Sequence, residues 1–522
     1  MKNLIKEKII WFYFSLLFVF LLGIFLPSFF DPPRSDNWPV LYFFHNLDDY
    51  HGNVNWLHIM NYDPWTRIRF YPLAHFTLYL QYIIFGANYM YIHHITNFVL
   101  YFISIVLLYK FAMVFCQNKL LVMSFLGVFA FLFSHFDIVA WALHVYVILA
   151  FCLYLSGFLI YIKYLRSEKS ILLAIVAVLF ITGMLLYESF VLWPLTIIFL
   201  SYIDGISKGG NFKPKIKKAS YLSVIGVVYF IYTLFFFFSR KIGTYASTDL
   251  PWKKVFSFDP LALIDMFFNI IYNGIVINLI PFFATPLSNQ IEDNINMGGV
   301  IDKVGMDTVT FRNLMISGGI MMIFILVYIL VYLFRKKRTK TIKVTLLFYF
   351  LLLSELLILF HCRSLTNNYA YMIQQFRYQY VPNAVIMILA AYLLENLLKP
   401  RGLRKKIICL VMLAVFLMNI LITRKHVLLV NKQLTPLRHI LLEIKEGIDT
   451  GKIDQKHKLY IEDGITQKLP HLCWNRQMGD YFMIGTYQWI FNKKEVEYFS
   501  FTPKEAYWII TKDDLRVKRK QF

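Results

Sequence analysis

The chain has 522 residues, is 58% hydrophobic and only 16% charged, and has a mean hydropathy of +0.55. Many apolar runs approach the roughly 20 residues that cross a bilayer, which excludes a string of soluble domains. The formal net charge of +22 does not point to nucleic acid: 24 Lys and Arg fall in six short segments, 2–8, 110–119, 163–169, 208–218, 335–343 and 399–406. These lie at alternating ends of apolar runs, the pattern of a topology signal.

Lys2, Lys6 and Lys8 place the N-terminus on the cytoplasmic side. A first span is expected over 9–29, retained because no small-residue cleavage site follows it. Loop 30–71 then lies outside. Residues 72–85 are short for a span and are expected along the outer interface. Further spans are expected at 89–112, 120–135, 139–162, 170–187, 189–204, 219–239, 313–334, 344–361, 379–398 and 407–423, about eleven in all. The segment 261–284 is also apolar, but if it crossed, the cations of 335–343 would move outside; it is read as re-entrant or interfacial.

After residue 424 charge, turn signals and short apolar runs mix, with a strand at 458–462 and helix within 470–491. The expected fold class is an all-α polytopic membrane protein, with a transmembrane module over 1–423 and a small soluble α/β domain over 424–522. An odd number of spans puts that domain outside. The five Cys, at 116, 152, 362, 409 and 473, have neither CxxC nor metal-ligand spacing, so no disulfide framework or zinc site is expected.

Five Asp and three Arg crowd loop 30–71, among them Asp36, Asp48, Asp49, Arg67 and Arg69. The same outer face is expected to collect His135, Asp137, Tyr187, Glu188, Arg240, His361, Arg363, Arg377, Tyr378 and Tyr380. Ionisable groups at membrane depth are costly unless they are paired or functional. Each has a plainer alternative: Asp36 as a turn cap, Glu188 as a salt-bridge partner, Arg377 as a snorkelling anchor. His93, His94 and His135 fit packing or hydrogen bonding better than metal ligation.

Glycosyl transfer from a lipid phosphate suits this set. A carboxylate takes the proton of the attacking acceptor hydroxyl. Arginines meet the charge on the leaving phosphate.

The stretch 69–97, RFYPLAHFTLYLQYIIFGANYMYIHHITN, resembles the R-P-L…Y-x-L-F-G-x-N…H-x-x-N segment of GT-C fold membrane glycosyltransferases, the protein O-mannosyltransferase-like enzymes and their bacterial relatives. Ser35-Asp36-Asn37-Trp38 is similar to their D-D-W motif, with Asn37 in place of the second acid. Tyr187-Glu188 resembles a carboxylate motif at an outer turn, and 377–382 resembles R-Y-x-Y-x-P. The resemblance covers about 1–400. It implies an Asp base in the first outer loop, by position Asp36, with Asp48 and Asp49 in reserve. Arg377, Arg363 and Arg69 are expected to bind the donor phosphate, and Glu188, His75, Tyr378 and Tyr380 to support the site.

The expected partners are a polyprenyl-phosphate-linked sugar, a glycan, lipid or protein acceptor, and membrane lipid; no nucleic acid is expected. No cofactor is expected, although the first-loop acids are the kind of oxygen ligand that Mg²⁺ or Mn²⁺ takes. Richness in Ile, Lys, Phe, Asn and Tyr suggests an AT-rich, bacterial genome and thus an inner membrane. A polysaccharide polymerase or ligase, relying on outer Arg and His, is the first alternative. A transporter is the second, disfavoured because no inverted repeat is visible.

Overall fold

In lipid a backbone must satisfy its own N–H and C=O groups, so long apolar runs fold as helices. The computed structural model describes residues 2–31, 72–85, 89–141, 144–203, 220–229, 231, 324–364, 379–398, 402–453, 457–461, 499–500, 503–511 and 516–519. Its helices in chain order begin with α1 (Lys2–Phe25), α2 (Pro72–Phe85), α3 (Tyr89–Phe115), α4 (Lys119–Ala130), α5 (Phe136–Ala140), α6 (Val145–Ser167) and α7 (Ser170–Leu186). They continue with α8 (Thr196–Tyr202), α9 (Ser220–Tyr229), α10 (Phe324–Arg335), α11 (Thr339–Ser364), α12 (Tyr380–Leu393) and α13 (Gly402–Asp449).

Among the described residues, five helical segments are long and apolar enough to cross a membrane: Glu7–Phe30, His93–Phe115, Val145–Ser167, Tyr380–Leu397 and Lys406–Lys432. A sixth is reached if the bent pair Lys119–Ala130 and Phe133–Ala140 counts as one span. Outward-facing side chains on these helices are large and apolar, such as Trp11 at 69% exposure and Leu421 at 68%. A water-soluble surface does not carry such a belt; a lipid-facing one does. The segment 261–284 and most of 204–323 lie outside the described residues.

The bend between α4 and α5 is 59° and contains neither Gly nor Pro. Its cause is side-chain insertion into the backbone ladder. The Phe133 N–H donates to Asn419 Oδ1 at 3.1 Å, Thr423 Oγ1 donates to the Phe131 carbonyl at 3.3 Å, and Tyr101 OH donates to the Ala130 carbonyl at 3.0 Å. Polar side chains of α3 and α13 thus replace the helical bonds lost at the break.

Helices α6 and α7 approach closely because Gly157 and Gly183 have no side chain. A Cβ at Gly157 would collide with the Phe180 ring, and one at Gly183 with Tyr154. The space is filled by an aromatic cluster in which Trp193 lies 4.7 Å from Phe190 and Tyr154 lies 4.9 Å from Phe190, ring centre to ring centre.

Helix α13 has 48 residues, about 72 Å at 1.5 Å per residue. It runs unbroken through residue 424, the expected domain boundary, which therefore falls inside a helix. The shift in charge marks where this helix leaves its apolar stretch near Lys432, not where it ends. Beyond it lies a four-stranded sheet of order β2-β1-β3-β4: β1 (Leu459–Ile461), β2 (Phe499–Ser500), β3 (Trp508–Ile510) and β4 (Val517–Arg519). β1 pairs in parallel with β2 and β3, and β3 pairs antiparallel with β4. The strand expected at 458–462 is β1; 470–491 lies outside the described residues.

Candidate functional site

Two sets of contacts fix the two ends of the bundle. At one end the Gln117 N–H donates to both carboxylate oxygens of Glu395, at 2.9 and 3.1 Å. There too the Arg338 guanidinium donates to the Asn396 carbonyl. The basic segments around Lys119, Arg338 and Lys406 therefore share one end. At the other end Asn431 of α13 donates to the Pro27 carbonyl at 2.8 Å and to Asp31 Oδ1 at 2.9 Å.

Asp31 is fully buried at the root of loop 32–71. A 3-10 turn, Leu26–Phe30, closes α1, and the Asp31 N–H donates to the Ser28 carbonyl at 3.1 Å. From α3, His94 Nε2 lies 3.2 Å from the Asp31 carbonyl oxygen. His93 is buried beside it in sequence. One turn on, Asn97 Nδ2 donates to the Trp141 carbonyl at 2.8 Å, which ties α3 to the start of α6, where His144 is also buried.

Helix α2 is polarised in the sense that membrane packing requires. Ala74, His75, Leu78 and Gln81 form its buried stripe, and Leu80, Ile83 and Ile84 face outward, Ile84 at 65% exposure. Polar groups point into the bundle and apolar groups toward lipid, the reverse of a soluble amphipathic helix. The Tyr82 hydroxyl is pushed up to about 12, chiefly by burial and then by neighbouring Tyr79. The helix packs against α3, α6 and α7.

Below this layer lies a closed polar network. His135 is fully buried, with Nδ1 2.8 Å from Tyr101 OH. Asn383 Nδ2 donates to Ser134 Oγ at 2.9 Å and to His135 Nε2 at 3.2 Å. With its proton on Nδ1, His135 donates to Tyr101 and accepts from Asn383. Ser104 Oγ bonds the Tyr380 hydroxyl. These groups satisfy one another, so their arrangement is that of a structural hub.

The layer nearer the Asp31 end is different. Among the described residues, Asn97 Oδ1, Gln81 Oε1 and Gln379 Oε1 are buried acceptors with no hydrogen-bond partner. Asn97 stands one helical turn before Tyr101, and Gln379 one residue before Tyr380, whose rings lie 5.7 Å apart. Buried acceptors without donors cost about 1–3 kcal/mol each. A ligand rich in O–H groups relieves that cost.

Of the residues singled out from sequence, Asp36, Asp48, Asp49, Arg69, Arg377 and Tyr378 lie outside the described residues. Glu188 opens the 3-10 helix Glu188–Phe190, which packs against α11, and Arg363 belongs to the last turn of α11; their side chains lie outside the description. Helix α11 starts beside Arg338 at the basic end and is about 39 Å long, so its last turn reaches toward the other end. His75 and Tyr380 are both buried, Tyr380 within the hub and not in an open site. His135 likewise sits in the interior and not on an outer surface.

The sequence places Asp31 among the loop acids, Asn97 in the H-x-x-N stretch and Gln379 in the run before Tyr380 without a role for any of them, and does not single out Asn431 or Gln81. Their signal is a polar residue inside or beside an apolar run, which is visible in sequence but carries no partner. Among the described residues, no group of three or more His, Cys, Asp or Glu is arranged to hold a metal ion. No protein-family model, no curated protein and no solved structure matches the chain.

Proposed function

We propose that the protein is an integral membrane glycosyltransferase that moves a sugar from a polyprenyl-phosphate donor to a cell-envelope acceptor, with inversion. The supporting observation is the set of buried polar groups at the end away from the basic segments: the Asp31 carboxylate, His94 beside it, and three amide oxygens that have no donor among the described residues. A sugar is a compact array of O–H donors, and unpaired acceptors in a low-dielectric site reward such a ligand. In this reading the basic end faces the cytoplasm, the fold is GT-C-like with about eleven spans, and transfer happens on the outer face of a bacterial inner membrane.

Asp36 is the proposed base, with Asp48 and Asp49 of the same loop in reserve. Arg377, Arg363 and Arg69 meet the phosphate charge, and no metal is required because a phosphate-linked lipid already leaves well. The test is release of polyprenyl phosphate from a polyprenyl-phosphate sugar by membranes carrying the protein. Asp36→Asn abolishes release if the reading holds. Full release by that variant, with release lost in Asp31→Asn, moves the base to Asp31. No release by the wild type with any such donor refutes the reading.

The burial of His75, His93, His94 and His144 favours a second reading, a polysaccharide polymerase or ligase relying on outer His and Arg. Loss of transfer in Arg377→Ala but not in Asp36→Ala selects it.

A further inference from the structure

A cavity of about 860 Å³ opens at the basic end between α1, α4, the π-helical turn Leu394–Leu398 and α13. We propose that it is a binding site for one membrane phospholipid, drawn from the leaflet at that end, with its phosphate at the cationic mouth and an acyl chain in the slot. The volume lies within the range of about 300–1,000 Å³ that holds small ligands. The slot is lined by Leu121, Val128, Met412 and Phe416 among others, and opens sideways between Leu120 at 70% exposure and Leu413 at 52%. That opening faces lipid.

Depth and charge select the occupant. Along α4 the lining runs from Asn118 to Val128, about 15 Å of helix. That is half of a hydrocarbon core about 30 Å thick, the depth of a single leaflet. Tyr13, whose hydroxyl donates to the Met123 carbonyl at 2.6 Å, and Phe416 pack against Gly127 toward the bottom. At the mouth, exposed Lys119 lies between the lining residues Asn118 and Leu120, and exposed Lys406 stands two residues before Ile408. The Glu395 carboxylate also lines the mouth, and the Gln117 N–H holds it. Cations above an apolar slot one leaflet deep match a phosphate above an acyl chain. The site is distinct from the proposed transfer site and does not depend on that reaction.

The test is native mass spectrometry of the full chain after detergent exchange, with palmitoyl-oleoyl phosphatidylglycerol or the same-chain diacylglycerol added. The wild type is expected to keep one phosphatidylglycerol and to keep diacylglycerol about tenfold less well, the effect of one charge-assisted phosphate contact. Ser124→Trp, which fills the slot, and the pair Lys119→Glu with Lys406→Glu each remove retention. Leu428→Trp, exposed elsewhere on α13, leaves it unchanged. Equal retention of diacylglycerol and phosphatidylglycerol by the wild type overturns the proposal. So does undiminished retention by Ser124→Trp. The wild-type comparison decides the matter even if that variant does not fold.

Discussion

The two ends of the bundle handle charge in opposite ways. At the basic end the cations are exposed on helix termini, and the polar contacts, Gln117 to Glu395 and Arg338 to Asn396, simply tie those termini together. At the other end a carboxylate and several histidines are withdrawn from solvent and packed among apolar side chains. Exposed charge at a span end costs almost nothing and orients the chain. Buried charge costs several kcal/mol unless it is held by partners, as Asn431 holds the Asp31 carboxylate, and the proposed function places the transfer at this end. Net charge alone, +22 over the chain, conceals this division.

The largest expected difference between the ends is catalytic. Asp36→Asn lowers release of polyprenyl phosphate about 10²- to 10⁴-fold, the worth of a general base, whereas Glu395→Gln leaves release unchanged. Equal losses from both variants break the comparison, because the basic end would then belong to the active site.

How much of this was legible in the sequence follows from what each feature depends on. Spans such as 145–167 and the strand Leu459–Ile461 depend on local apolar patterning, and the sequence readings lie close to them. The short helix α2 was legible from its length. The bend at 131–135 was not, because its cause is Asn419 and Thr423, nearly three hundred residues away. The continuation of α13 past 424 was hidden for another reason. Charged side chains are compatible with a helix in water, so a change of charge does not end one. Asp31 and Asp36 look alike in sequence; only the pairing of Asp31 with Asn431, 400 residues on, distinguishes it.

The hub beneath the candidate site sharpens the comparison by separating structure from chemistry. Asn383→Ala removes the donor to both Ser134 and His135 and is expected to cost about 2–4 kcal/mol, as two buried acceptors lose their partner. Thermal unfolding in detergent measures it. Asn431→Ala is expected to cost less, about 1–2 kcal/mol, because Asn431 is only half-buried. It also frees the end of α1, so transfer falls in this variant by more than its stability loss explains. A fall in stability with unchanged transfer would detach Asp31 from the site.

The smallest effect belongs to the basic end and shows only in alkali. The Cys116 thiol, just past the span that ends at Phe115, is pushed from 9.0 up to about 12, first by burial and then by the Glu395 carboxylate beside it. Folding therefore favours the protonated thiol. Its contribution to stability is complete below pH 9 and is lost as pH rises from there toward 12. Glu395→Gln removes the nearby negative charge and lowers the folded-state pKa alone, so the loss in the variant still begins near pH 9 but ends at lower pH and is smaller in total. Maleimide labelling reads the same difference directly: exposed Cys409 reacts at pH 8 while buried Cys116 stays unmodified until the chain unfolds. Prompt labelling of Cys116 at that pH would mean that the junction of α3 with the Glu395 turn opens in solution, and the basic end would then be a moving part and not a fixed frame.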